Sequence, residues 1–250
     1  MQGLHLSLET SNTNRLREEW LDQIRAEWYR VMRPLGTWLP WDLSEKMVLE
    51  EVEEEENYFQ PALPLQWTHV RQCQVVPDRF ALIEYCLPCK AICCEVGTDV
   101  GAFARRILQL SDPTELHIID ISLRNFRKEW FSTALEAGVV HLHEQDSVAG
   151  LSEFPDGYFD WIYIDGNHSY EGVKRDIQAA KNKIKSSGML AFNDYMFWSH
   201  RELMCYGVIQ AVNEFCLQEG WELIYLALSP EAVNDVVLRK LQPQSQAADT

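Results

Sequence analysis

From Ala91 onward the chain repeats one unit: a short, nearly continuous apolar run, a turn carrying glycine or an acid, and an amphipathic stretch. The apolar runs are AICCEV, ELHIIDI, VVHLH, FDWIYID, GMLAFND, WELIYLAL and DVVLRKL, and the amphipathic stretches fall at residues 101–110, 125–137, 172–183 and 206–218. A strand that alternates apolar with polar residues shows one face to water, whereas a continuously apolar one needs cover on both faces. Helices between successive strands supply that cover, so the pattern predicts an α/β fold built on a mostly parallel sheet. Ligands of such sheets lie outside the carboxyl ends of the strands, and the chemistry is to be sought there.

The first third of the chain has a different texture, rich in tryptophan, proline and acid. Leu16, Trp20, Ile24, Trp28 and Val31 recur at three- and four-residue steps and predict a helix over 15–31, which Pro34 and Pro40 stop. Six glutamates between Glu50 and Glu56 read as a solvated face. Residues 1–75 are therefore expected to form a mainly helical extension or lid, residues 76–241 a single catalytic domain, and residues 242–250 (QPQSQAADT) a disordered tail. Exposed tryptophans in the extension would suit a homodimer contact.

A formal charge of −16 disfavours the phosphate backbone as a partner, since nucleic-acid affinity rests on clustered Lys and Arg and no such cluster is present, and it disfavours acidic membrane surfaces likewise. No apolar run approaches the roughly 20 residues that span a bilayer, and the first residues lack a basic start followed by an apolar core; the expectation is a cytoplasmic protein. Seven cysteines, an odd number, read as reduced thiols. Cys86, Cys89, Cys93 and Cys94 include a Cys-x-x-Cys, but Cys73, Cys205 and Cys216 offer no second pair at matching spacing, so buried inert thiols are expected rather than zinc.

Taken in order, the strand ends carry Glu95, Asp120, Asp146, Asp165, and Asn193 with Asp194. One such acid can simply cap the next helix, whereas a row of them on one rim points to a ligand. The first end reads CEVGTDVGAFA: Gly97 allows a tight turn and Gly101 a close approach of the following helix. Dinucleotide loops place a glycine where the pyrophosphate touches backbone, and here that position is Asp99, which favours a cationic or neutral ligand over a nicotinamide dinucleotide. Asp120 stands where a carboxylate can bind ribose hydroxyls, and Asp146 with Ser147 can address an adenine amino group.

This combination resembles the class I S-adenosylmethionine-dependent methyltransferases over about residues 80–241. YIDGNHSYEGVKRDI followed by SSGMLAFNDY is similar to their small-molecule O-methyltransferase branch, the macrocin O-methyltransferase and cephalosporin-hydroxylase-like enzymes, whose fourth strand ends in Asp-Gly-x-His-x-Tyr and whose fifth ends in Asp-Tyr. The resemblance implies a Rossmann-like, seven-stranded, mostly parallel sheet with helices on both faces and an antiparallel last strand. It further implies that Glu95, Gly97, Thr98, Gly101, Asp120, Ile121, Asp146, Ser147 and Asp165 hold S-adenosylmethionine, and that Asp165, Asn193 and Asp194 hold a divalent metal such as magnesium. Relatives with a metal often offer two acids at the fifth strand end, where this chain has neutral Asn193 before Asp194.

Methyl transfer from a sulfonium is an in-line displacement, so the enzyme supplies orientation and an acceptor stripped of its proton. A metal on Asp165, Asn193 and Asp194 would lower the acceptor's pKa, and His168 would take the proton as general base. The expected substrate is a small molecule, a sugar or secondary metabolite bearing a hydroxyl. A catalytically silent binding protein on the same fold and a nicotinamide-dependent oxidoreductase are the rival readings. The other reading of the histidine motif is local: Asp165 to Asn167 as a turn, with His168 and Ser169 capping the next helix.

Overall fold

A computed structural model describes residues 62–241 of the chain. The predicted helix at 15–31, the glutamate run, most of the extension and the C-terminal tail lie outside the described residues. In chain order the elements are α1 (Trp67–Val70), β1 (Gln74–Val76), α2 (Arg79–Ala81, continued as a wider turn over Leu82–Cys86), β2 (Ile92–Val96) and α3 (Ala102–Ser111). There follow β3 (Glu115–Asp120), a 3-10 turn (Lys128–Trp130), α4 (Ser132–Glu136), β4 (Val140–Glu144), α5 (Ser147–Ser152), β5 (Phe159–Ile164) and α6 (Tyr170–Ala180). The chain continues as β6 (Ile184–Phe192), a small ribbon of β7 (Trp198–Ser199) and β8 (Met204–Cys205), then α7 (Val208–Glu219), β9 (Trp221–Ala227) and β10 (Asp235–Lys240).

Eight strands form one sheet in the order β1-β9-β10-β6-β5-β2-β3-β4. Strand β10 runs antiparallel to both its neighbours, and the remaining pairs are parallel. The predicted seven strands are present, and β1 adds an eighth at the edge beside β9, with Gln74 opposite Tyr225. Three residues offer no period to read, so the sequence gives no sign of this strand. From β2 the chain moves outward through β3 and β4, then returns to lay β5 on the other side of β2. The crevice this reversal opens at the strand ends is where such folds bind ligands.

Both faces are covered, which explains why the strands are continuously apolar. On one face Leu151 of α5, Val173 and Ile177 of α6, and Val212 and Phe215 of α7 pack on Ile119, Ile162 and Leu190. On the other, Leu82 and Ile83 of α2, Ala104 and Ile107 of α3, and Phe126 and Phe131 pack on Cys93, Leu116, Ile118 and Trp161. The two adjacent thiols of β2 therefore point to opposite cores, Cys94 into the first and Cys93 into the second, and burial pushes both thiols well up. Cys89 departs from the expectation of burial, since it is exposed on the turn before the strand. Among the described residues no helix is long and apolar enough to cross a membrane.

The stretch 125–137 does not form the single helix its pattern predicts. Phe126 and Phe131 stack at 4.8 Å and both enter the second core, where they meet Gly101. Five residues apart on an α-helix they would diverge by about 140°, so the backbone breaks into a 3-10 turn and the short α4.

Candidate active site

Strand β2 carries Glu95 one residue before its end at Val96, and β5, paired with it in one parallel ladder, runs into Asp165. Gly97 follows with φ +85°, and a Cβ there would lie 2.1 Å from the carbonyl oxygen of Asp165. The glycine is thus demanded by the approach of two strand ends as well as by the turn. Gly101, with φ +84°, has a different neighbour from the sheet its sequence context predicts: an added Cβ would strike the Phe126 ring at 2.5 Å.

The loop between these glycines is held by Asp120, whose carboxylate accepts from the Thr98 amide at 2.7 Å, the Asp99 amide at 3.2 Å and the Ser122 amide at 3.0 Å. Glu95 is fully buried and neither of its oxygens has a hydrogen-bond partner, nor has the buried hydroxyl of Thr98. Burial, opposed by the neighbouring Thr98 side chain and reinforced by the Asp120 charge, pushes the Glu95 carboxyl up to about 8. A buried carboxyl with no donor is costly, and a cationic ligand at this loop would supply what it lacks. Ile121, just past Asp120, is 77% exposed, an apolar surface on the same rim that an adenine ring could cover. Asp146 caps α5 through the Val148 amide and pairs with Arg175 at 2.9 Å, while Ser147 donates to the buried Asp176. The residues present at β2 and β3 therefore fit a sulfonium cofactor, with Asp146 and Ser147 already engaged by neighbours.

At the ends of β5 and β6, His168 Nε2 stands 3.2 Å from Asn193 Oδ1, 3.5 Å from Asp165 Oδ1 and 3.9 Å from Asp194 Oδ2. Its ring lies flat on Tyr206 at 4.5 Å with an 8° interplanar angle. The helix-capping part of the local reading holds for Ser169, which caps α6 through the Gly172 amide; His168 itself turns into the rim. Asp194 adopts φ +53°, a left-handed backbone unusual for a residue with a Cβ. Asp165 is pushed well above the ordinary carboxylate range, first by burial and then by Glu95, Asp194 and Asp235, with Arg79 opposing.

Three participants at this rim fall outside the row of acids read from the sequence: Arg79, Tyr163 and Asp235. Arg79 Nη2 donates to Asp235 Oδ1 at 3.0 Å, to Asp194 Oδ1 at 3.5 Å and to the Val233 carbonyl at 3.4 Å, so it is a resident cation among the acids. Tyr163 donates its hydroxyl to Asp235 Oδ2 at 2.5 Å, and Asn193 Nδ2 donates to the Tyr163 oxygen at 3.2 Å. Asp235 had a readable signal: β10 is antiparallel, so its first residue, rather than its last, reaches the rim. The guanidinium had none, being placed there by packing alone.

The predicted metal ligands Asp165, Asn193 and Asp194 each turn an oxygen toward His168 Nε2. Asp194 is also paired with Arg79, and among the described residues the only three His, Cys, Asp or Glu ligand atoms lying within 4.8 Å of one another belong to Glu115, His117 and His141, on β3 and β4. Residues 94–195 match the sequence model of a family described as a methyltransferase domain. This stretch, less than half of the chain, is thus similar to a methyltransferase domain.

The match to this methyltransferase family begins one residue before Glu95 and ends one residue after Asp194, so it takes in the row of acids and leaves Arg79 and Asp235 outside. The fold is similar to that of a protein from Corynebacterium glutamicum, at 16% identity and a TM-score of 0.51 over 77% of this chain and 98% of that one. It is similar also to a ribosomal protein L11 methylase from Lactobacillus delbrueckii subsp. bulgaricus, at 17% identity and 0.49 over 66% and 78%. With the pyocyanin biosynthetic protein PhzM the values are 14% and 0.48 over 64% of this chain, which spans 54% of that protein. No curated protein matches the sequence.

Proposed function

We propose that this protein moves the methyl group of S-adenosylmethionine to a hydroxyl of a small molecule, a sugar or secondary metabolite, with His168 as the general base and without a metal on the acceptor. The observation that carries the reading is the setting of His168 at the joined ends of β5 and β6. Asn193 donates through Nδ2 to Tyr163 and Asp235, which turns its Oδ1 toward the imidazole. An acceptor at that position requires hydrogen on Nε2, and Nδ1 is then the atom with a free lone pair. Asp165 and Asp194 flank the ring and stabilise the imidazolium that forms when Nδ1 takes the proton of the acceptor. The neutral residue before Asp194 thereby gains a role, since an amide selects the tautomer without adding a further charge to a crowded acidic rim.

The cofactor supplies the electrophilic methyl. Glu95 and the Gly97–Gly101 loop bind and orient it, the flat contact with Tyr206 fixes the plane of the base, and Arg79 keeps the remaining carboxylates from repelling one another. The test is methyl transfer by the full chain from labelled S-adenosylmethionine to a panel of hydroxyl, amine and thiol compounds. Methylated hydroxyl product, retained in the presence of EDTA and reduced at least a hundredfold in His168→Ala, is expected. Transfer only to amines, or only with added magnesium, would overturn the reading.

A further inference from the structure

Strands β3 and β4 carry an anomaly far from the transfer rim. Positions 117, 119, 141 and 143 share one face of the sheet, where a parallel ladder ordinarily places Val, Ile or Leu; here three of the four are histidine. His117 is opposite His141, and their rings stack at 4.7 Å with a 16° interplanar angle. His117 Nε2 lies 3.1 Å from Glu115 Oε2, and its Nδ1 lies 3.1 Å from His143 Nε2. One ligand atom each from Glu115, His117 and His141 falls within 4.8 Å of the others, in a site that is buried at His117 and half-buried at its two partners.

A tetrahedral ion with bonds of about 2.1 Å separates its ligands by roughly 3.4 Å, so the oxygen and nitrogen of Glu115 and His117 stand close to the required edge. The groups around them have the form of supports. Tyr158 donates its hydroxyl to Glu115 Oε2, the same oxygen that faces His117, while His143 engages the far nitrogen of His117 and Phe154 closes edge-on against the His117 ring at 4.8 Å. Metal-binding imidazoles are oriented by such a partner on their far nitrogen, and ligating carboxylates are in turn hydrogen-bonded. Two imidazoles and one carboxylate suit zinc, nickel or copper rather than magnesium or calcium, which prefer all-oxygen shells. His117 precedes Asp120 by three residues, about 10 Å along the strand, so this cluster is separate from the rim where methyl transfer is placed.

We infer that Glu115, His117 and His141 form a binding site for one divalent transition-metal ion of the zinc and nickel class, tying the edge strand β4 to β3. The experiment is calorimetric titration of the full chain with nickel chloride, with thermal unfolding followed in parallel. One ion per chain is expected, with a melting temperature that rises with nickel. His141→Ala and Glu115→Gln are expected to weaken binding at least tenfold and to remove the nickel-dependent rise. Both positions are half-exposed, and circular dichroism checks that each variant folds; should His141→Ala fail to fold, Glu115→Gln decides. Absence of binding at millimolar nickel overturns the inference, as does wild-type affinity in the folded variants. Loss of binding in a Cys86→Ser/Cys89→Ser double variant while His141→Ala retains it would move the site to the thiols and overturn it as well.

Discussion

Burial places Glu95 among the acids whose protonation the fold controls, and the sign of the effect is open to measurement. Its folded-state pKa, about 8, stands above the ordinary 4.5, so protonation favours the fold fully below about pH 4.5, and that stability is lost as pH rises toward 8. Asp235, pushed up by burial to about 6, adds to the acid part of the same window. Without cofactor the protein should therefore melt higher at pH 5 than at pH 8, and Glu95→Gln should flatten the profile and raise the pH 8 melting temperature by about 5 °C or more. The same substitution removes the partner of a cationic ligand, so calorimetry should show S-adenosylmethionine binding weakened about tenfold or more. Asp165→Ala should abolish turnover while cofactor binding stays measurable, because the residue stabilises the imidazolium and lies beside the loop without being its main support. These two acids were legible from sequence because a parallel strand delivers its last residues to the ligand edge whatever surrounds it.

At the level of elements, the strand-to-loop junction after β2 is the tightest point of the domain. Gly97→Ala combines a left-handed backbone with a Cβ driven into the Asp165 carbonyl, and should cost roughly 3 kcal/mol or more of stability in urea unfolding. Gly138→Ala has φ +68° but open space around the added carbon, and should cost only about 1 kcal/mol. Equal losses at the two positions would show that backbone conformation, rather than the meeting of two strand ends, is what the first glycine serves. The long elements were legible because their patterns run on, over 11 residues in α6 and nine in β6. Helix α5 was not, with six residues and a glycine at its centre; Gly150 is needed there because a Cβ would come within 2.7 Å of Ile119.

For the whole molecule, the network around Arg79 joins three remote parts of the chain. A residue before β2 meets the end of β6 and the start of β10, 115 and 156 positions away. Arg79→Ala leaves Asp235 and Asp194 without their cation and should destabilise the protein by about 3 kcal/mol, measured by denaturant unfolding, whereas the Arg79→Met/Asp235→Asn double variant should recover much of the loss. Additive losses would show that the pair is not coupled. Apolar continuity, helix spacing and the row of acids at strand ends settled the sheet, its covering and the edge on which the chemistry stands, because those depend on interactions repeated every few residues. Packing alone decided that an arginine sits within the acidic rim, that Asn193 faces the histidine with its oxygen, that Phe126 and Phe131 break a helix to fill one gap, and that three histidines from two strands meet on one face. Each of these unites residues far apart in the chain through a single close contact, and a contact made once leaves no period in the sequence.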